Sequence, residues 1–153
     1  MRLQSLRVRN FKAIVDSKTV KLGALTAFIG NNGAGKSSLI EALQTYQSIV
    51  RDGLDIAMQR WLGIEHVRHK AQEAKERLGE AVNPISFELA LGDSSRKVRR
   101  AELTLNNDPA ADRMFIASER LSRGDRTWLA RDPMGSMQSY SAGRSILDRK
   151  SVV

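Results

Sequence analysis

Gly30-Asn31-Asn32-Gly33-Ala34-Gly35-Lys36-Ser37 satisfies the pattern G-x-x-x-x-G-K-[ST] at every fixed position. The four residues before it, Thr26-Ala27-Phe28-Ile29, are apolar or β-branched and predict a buried strand. After it, Leu39, Ile40, Leu43, Tyr46 and Val50 recur at helical spacing. A glycine-rich loop between a strand and a helix is the context in which this pattern binds phosphate. Its spelling follows from chemistry. Successive backbone N–H groups must turn inward around an anion, which asks for close approach and unusual backbone angles at Gly30, Gly33 and Gly35. A helix beginning near Gly35 adds its N-terminal dipole and unpaired N–H groups.

Each position then has an expected role toward a nucleoside triphosphate. Gly30, Asn31, Asn32, Gly33, Ala34 and Gly35 supply the backbone cradle, and Lys36 reaches the β- and γ-phosphates as a point charge. The Ser37 hydroxyl takes one coordination position on a Mg2+ that bridges the same phosphates, and Ser38 offers a hydroxyl toward the α-phosphate. A dinucleotide fingerprint needs its glycines at other spacings.

Working outward, Leu6 and Val8 alternate with Arg7 and Arg9 as in a half-buried strand, and Asn10-Phe11-Lys12 interrupts the alternation. Val20 and Leu22 flank Lys21, Gly23 turns the chain, and Leu25 to Ile29 lead into the loop as a strand. Asp52-Gly53 stops the first helix. Residues 54–62 predict a short second helix with Leu54, Met58, Trp61 and Leu62 on one side. From Glu65 to Glu80 the sequence is charged and reads as an exposed helical excursion. His66 and His69, three apart beside Glu65, have a spacing that zinc could use. No third ligand is identifiable, and the group reads as ordinary polar surface.

After Asn83-Pro84 the period changes to two. Ile85, Phe87, Leu89 and Leu91 alternate, Gly92 to Ser95 supply a turn, and Leu103 and Leu105 resume the alternation. Asn106 to Pro109 predict a turn, Met114 to Ser118 a strand, Ser122 to Asp125 a turn and Thr127 to Ala130 a strand. Residues 85–131 therefore read as an antiparallel meander. The segment after Asp132-Pro133 carries no clear pattern. Arg96-Lys97 and Arg99-Arg100 form a basic cluster that either contacts nucleic-acid phosphates or decorates an exposed sheet edge.

The chain has 153 residues, a formal net charge of +8 and no cysteine, so disulfides and thiolate metal sites are excluded. The charge either favours a polyanionic partner, nucleic acid foremost, or serves only solubility. The N-terminus lacks the apolar core of a secretory signal and no apolar run reaches membrane-spanning length, so the expectation is a soluble cytoplasmic protein without membrane attachment.

The segment Leu6 to Lys12, the run Leu25 to Ile29, and Gly30 to Ser38 followed by Leu39-Ile40-Glu41-Ala42-Leu43 closely resemble the N-terminus of ABC-type ATPases of the RecF, SMC and Rad50 branch. The closest likeness is to the predicted AAA-family ATPases of bacterial defence and repair. The resemblance is specific over residues 3 to 43 or so and architectural beyond, where Glu119 and Leu121 fit a loosely defined E-x-L strand. It implies ATP and Mg2+ held between two heads, as a homodimer or with a complementary ATPase half. It also implies a basic residue, Arg9 or Lys12, near the nucleotide, and a role in DNA repair or phage defence.

A complete head of that kind also needs a Walker B strand, whose apolar run ends in an acidic residue. Ile146-Leu147-Asp148 is too short a run for it, no signature motif is present, and Gln138 lacks the flanking pattern of a magnesium-sensing glutamine. The expected fold is α/β: a P-loop NTPase N-terminal lobe over residues 1–82, with its excursion over 54–82, an antiparallel β lobe over 83–131 and a tail over 132–153. The expected function is ATP binding by part of an ATPase head, with hydrolysis only in the complete head or dimer. The alternative is a non-catalytic basic DNA-binding or assembly module with a degenerate nucleotide site.

Overall fold

A computed structural model of the chain describes residues 2–69, 83–92, 98–108, 113–131 and 137–139. The charged run from Lys70 to Glu80, the basic pair Arg96-Lys97 and Ile146-Leu147-Asp148 lie outside the described residues. The described strands form one antiparallel sheet. Its elements are β1 (Arg2–Phe11), β2 (Ile14–Asp16), β3 (Val20–Lys21), β4 (Ile85–Gly92), β5 (Arg99–Asp108), β6 (Arg113–Arg123), β7 (Arg126–Arg131) and β8 (Met137–Ser139). The spatial order is β2-β1-β4-β5-β6-β7-β8, with β3 also paired to β1. The meander is thus continuous with the N-terminal strands through the β1–β4 ladder, in which Leu6 faces Leu89 and Val8 faces Phe87.

Alternation explains which face is buried. Leu6 and Val8 on β1, Phe87 and Leu89 on β4, and Ala101 and Leu103 on β5 share one face and are all buried. Helix α1 (Lys36–Asp52) covers that face. Its Tyr46 ring lies 5.8 Å from that of Phe87, and Phe87 meets Phe11 edge-on at 6.1 Å. Gly53, at φ 95, ends α1 with its N–H donated to the Ile49 carbonyl, and α2 (Leu54–Gln59) packs Ala57 and Met58 into the same core.

The interruption after β1 has a backbone cause. Strict alternation would bury Asn10, but Asn10 (φ 54) and Lys12 (φ 49) adopt left-handed angles, so Phe11 turns inward and is fully buried. The Asn10 side-chain amide donates to the Pro84 carbonyl at 3.0 Å. The backbone of Lys12 donates to Val67, and that of His69 donates to Asn10. This turn therefore joins the N-terminal strand to residues distant in sequence.

Three expectations change. Leu25 to Ile29 form no ladder with any described strand, and Leu25 and Ile29 are 92% and 95% exposed. An apolar β-branched run is stable as a strand when neighbours cover its edges and faces, and among the described residues only Phe28 meets the core. Asn106 to Asp108 continue β5 instead of turning, because they pair with Phe115, Met114 and Arg113. In the segment read as a patternless tail, Met137–Ser139 adds β8 beside β7, and Gln138 lies on it.

Candidate functional site

The loop from Gly30 to Ser37 is shaped by its own residues. Gly33 (φ 84) and Gly35 (φ 83) take left-handed angles that L side chains rarely adopt, and Gly30 has φ 156. At Gly35 space is also short: a Cβ there would come 3.2 Å from Cγ1 of Ile14. Gly33 has open space around it, so its glycine is required by the angle alone. Ala34 donates to the Asn31 carbonyl at 3.2 Å, and the helical ladder starts where Leu39 donates to Gly35 at 3.0 Å.

Lys36 closes the loop. Its Nζ donates to the carbonyls of Gly30 at 2.6 Å and Asn31 at 2.7 Å. An ammonium has three protons, so these two bonds leave one for an anion. The first turn of α1 contains no acidic residue, and no side chain caps it. The N–H groups of that turn have no intrahelical acceptors and carry the positive end of the helix dipole. Gly30, Asn31, Asn32, Gly33 and Ala34 are exposed, and so is Ser37; Gly35 and Lys36 are half-buried. Ser38 lies buried beneath the first turn.

Five carboxylates among the described residues are engaged by basic partners. Asp16 accepts two bonds from Arg7, at 3.0 and 2.8 Å. Those bonds, helped by Lys18, hold its carboxyl far below the usual carboxylate range. Glu41 pairs with Lys12, Asp52 with Arg51, Glu88 with Arg9, and buried Glu119 with Arg131. No group of three or more metal-ligating side chains occurs among the described residues. His69 is engaged through Nδ1, 2.6 Å from the Lys12 carbonyl.

Of the two basic residues that the resemblance puts near nucleotide, both are occupied. Arg9 Nη2 lies 3.2 Å from Glu88. Lys12 Nζ lies 2.8 Å from Glu41 and 3.6 Å from the centre of the Trp61 ring. The Trp61 indole N–H donates to the Thr45 hydroxyl at 3.0 Å, and Thr45 donates to the Glu41 carbonyl at 2.7 Å. This knot ties the turn after β1 to the helix that follows the loop. Sequence reading placed Trp61 on the apolar side of a short helix and had no signal for Lys12 beneath it. Asn10, a residue that tolerates left-handed angles, was the one hint of the turn.

Residues 1–51 match the family model of the AAA ATPase domain. The matched third of the chain holds β1 to β3, the loop and nearly all of α1. It corresponds to the N-terminal part of an AAA-type ATPase domain, a likeness that suggests nucleotide binding and implies ATP with Mg2+ in general. No curated protein and no solved structure matches the chain. No helix among the described residues is long and apolar enough to cross a membrane.

Proposed function

We propose that this chain is the ATP-binding N-terminal half of an ABC/RecF-like ATPase head, with Gly30 to Ser38 as the nucleotide site. The observation that carries the reading is the Lys36 ammonium. It is held by two loop carbonyls at the start of a helix whose first turn has no acidic residue. In this reading the backbone from Gly30 to Gly35 wraps the β-phosphate, and Lys36 turns its third proton to the β- and γ-oxygens. Ser37 would offer its hydroxyl to the Mg2+, which would supply positive charge against the phosphates. Ser38, being buried, contributes to the α-phosphate through the position of its turn.

Hydrolysis in this reading is completed by a strand and a carboxylate from outside the described residues, in the same head or in a complementary half. The run Leu25 to Ile29, which pairs with no described strand and exposes Leu25 and Ile29, supports this, because a strand placed beside it would end next to the loop. So does the engagement of Asp16, Glu41, Asp52, Glu88 and Glu119 with basic partners. A role in DNA repair or phage defence is the part of the proposal that rests on the resemblance of residues 3 to 43.

Calorimetric titration of the chain with ATP and Mg2+ tests the site. Binding that is lost in Lys36→Ala, with the circular dichroism spectrum retained, is the expected result. Equal binding by the variant would move the nucleotide elsewhere. Phosphate release by the chain alone should stay at background. Turnover that disappears in Lys36→Ala would locate the missing acid within residues 1–153. Gel filtration with and without ATP and Mg2+ tests whether nucleotide drives association of heads.

A further inference from the structure

Asn32 is followed by Gly33, and no other asparagine of the chain is followed by glycine. The others precede Phe11, Asn32, Pro84, Asn107 and Asp108. The successor matters because an asparagine amide is chemically labile, and the main-chain nitrogen that follows it lies within reach of its own side-chain carbon. A side chain on the following residue obstructs that approach, and glycine has none.

The loop leaves this pair unrestrained. The Ala34 N–H donates to the Asn31 carbonyl at 3.2 Å, so Asn32 and Gly33 are the central residues of a turn. Gly33 has φ 84 and Asn32 is not among the residues of positive φ, the combination of a type II turn. The hydrogen bond of such a turn comes from its fourth residue and leaves the N–H of the third without an acceptor. Neither the Gly33 N–H nor the Asn32 carboxamide or carbonyl has a hydrogen-bond partner among the described residues. Both residues are exposed, and a Cβ placed on Gly33 would meet nothing within 4 Å. Rotating the Asn32–Gly33 peptide to bring its nitrogen onto Asn32 Cγ therefore breaks no hydrogen bond.

Asp52-Gly53 has the same small successor in the opposite setting. Its Gly53 N–H donates to the Ile49 carbonyl at 3.0 Å, and the Asp52 carboxylate accepts from Ser48 and Arg51. Ring closure there would have to break these bonds.

We infer that Asn32 is a site of spontaneous deamidation, which turns the neutral centre of the loop into an anionic one. The Gly33 nitrogen gives up its proton to hydroxide and attacks Asn32 Cγ. The bond from nitrogen to Cγ forms, the bond from Cγ to Nδ2 breaks, and ammonia leaves after taking a proton from water. Water then opens the resulting succinimide. Cleavage between the nitrogen and Cγ gives aspartate. Cleavage between the nitrogen and the Asn32 main-chain carbonyl carbon gives isoaspartate, in which the chain runs through the former side chain. Water is consumed, ammonia is released and nothing is oxidised or reduced.

Both products put a carboxylate beside the N–H groups of the cradle, and isoaspartate also lengthens the chain inside the turn that Ala34 and Asn31 close. The reaction needs only the loop. Its effect on ligand rests on the reading of Gly30 to Ser38 as a nucleotide site, where the new charge repels phosphate.

The test holds the nucleotide-free chain at mildly alkaline pH over days, with peptide mapping by mass spectrometry and isoaspartate detected by enzymatic methyl transfer. Conversion should appear at Asn32 before any other asparagine and should quicken as pH rises. Asn32 should convert in the folded chain nearly as fast as in the chain unfolded in urea, whereas Asp52 should isomerise only when unfolded. An Asn32 that the fold protects as strongly as Asp52, or conversion led by another asparagine, would overturn the inference. Fresh protein, converted protein separated by ion exchange, and Asn32→Asp are then titrated with ATP and Mg2+. Conversion and substitution should each weaken binding at least about tenfold. Equal binding before and after conversion would overturn the effect on the site. Conversion at Asn32 in a chain that binds no ATP even when fresh would uphold the deamidation and remove the nucleotide site, so the two readings fail separately.

Discussion

The Lys12 ammonium lies 2.8 Å from the Glu41 carboxylate and 3.6 Å above the Trp61 ring. A lysine that the family resemblance points toward nucleotide is here part of a clamp between the turn after β1 and helix α1. The pair is partly shielded, so Lys12→Gln and Glu41→Gln in a double-mutant cycle should show a coupling of about 0.5–1 kcal/mol in urea unfolding. ATP affinity in Lys12→Gln should follow wild type. A loss of affinity in that variant, with a gain in Glu41→Gln, would mean that Lys12 leaves the clamp for the nucleotide.

Thr45 is the fourth member of the clamp, and it is buried with its hydroxyl both accepting from Trp61 and donating to the Glu41 carbonyl. Thr45→Val keeps the shape but strands the indole N–H. It should cost about 1–2 kcal/mol, read by chemical denaturation with tryptophan fluorescence.

Gly33 and Gly35 share a left-handed backbone but differ in their surroundings. Gly33→Ala should cost about 1 kcal/mol from the backbone angle alone. Gly35→Ala should cost more, about 2–3 kcal/mol, because its methyl group must also displace Ile14. Thermal melts of the two variants check the order.

Burial, together with the charge of Glu119, pushes the Tyr46 hydroxyl up to about 12. The folded state therefore keeps its proton where the unfolded chain has begun to lose it. The stability from neutral Tyr46 is complete below the ordinary tyrosine pKa of about 10 and is lost as pH rises through the folded value. Unfolding in urea from pH 9 upward should show this decline, and Tyr46→Phe should flatten it. A decline of the same size in Tyr46→Phe would assign it to other groups.

Leu25 and Ile29 contribute almost no burial among the described residues. Leu25→Gln with Ile29→Thr should change the stability of the chain by no more than about 0.5 kcal/mol. The same pair of changes should reduce binding of a hydrophobic dye and self-association at high concentration.

Local signals were the legible ones. The glycines of the loop, the Gly53 stop of α1 and the alternation of Ile85, Phe87 and Leu89 depend on a few neighbouring residues, and the structure has left-handed angles at Gly33 and Gly35, ends α1 at Asp52 and runs a strand over Ile85–Gly92. Leu25 to Ile29 read as a buried strand because composition reports what a segment can bury, whereas pairing depends on which strands stand beside it. β8 escaped notice because three residues are too few to establish a period. The Lys12, Glu41 and Trp61 clamp depends on contacts between distant residues, which no local pattern encodes.

The hydrogen bonds from Lys36 that shape the loop span six and five residues, whereas Asn10 reaches 74 residues along the chain to Pro84. Short closures cost little chain entropy and form early. As the polypeptide emerges N-terminus first, the cradle can take shape before the strands of the meander exist. A nucleotide present during synthesis would then meet a formed receptor on an unfinished protein, and its binding energy would favour the packing of α1 onto β1 while the rest of the sheet is still being made.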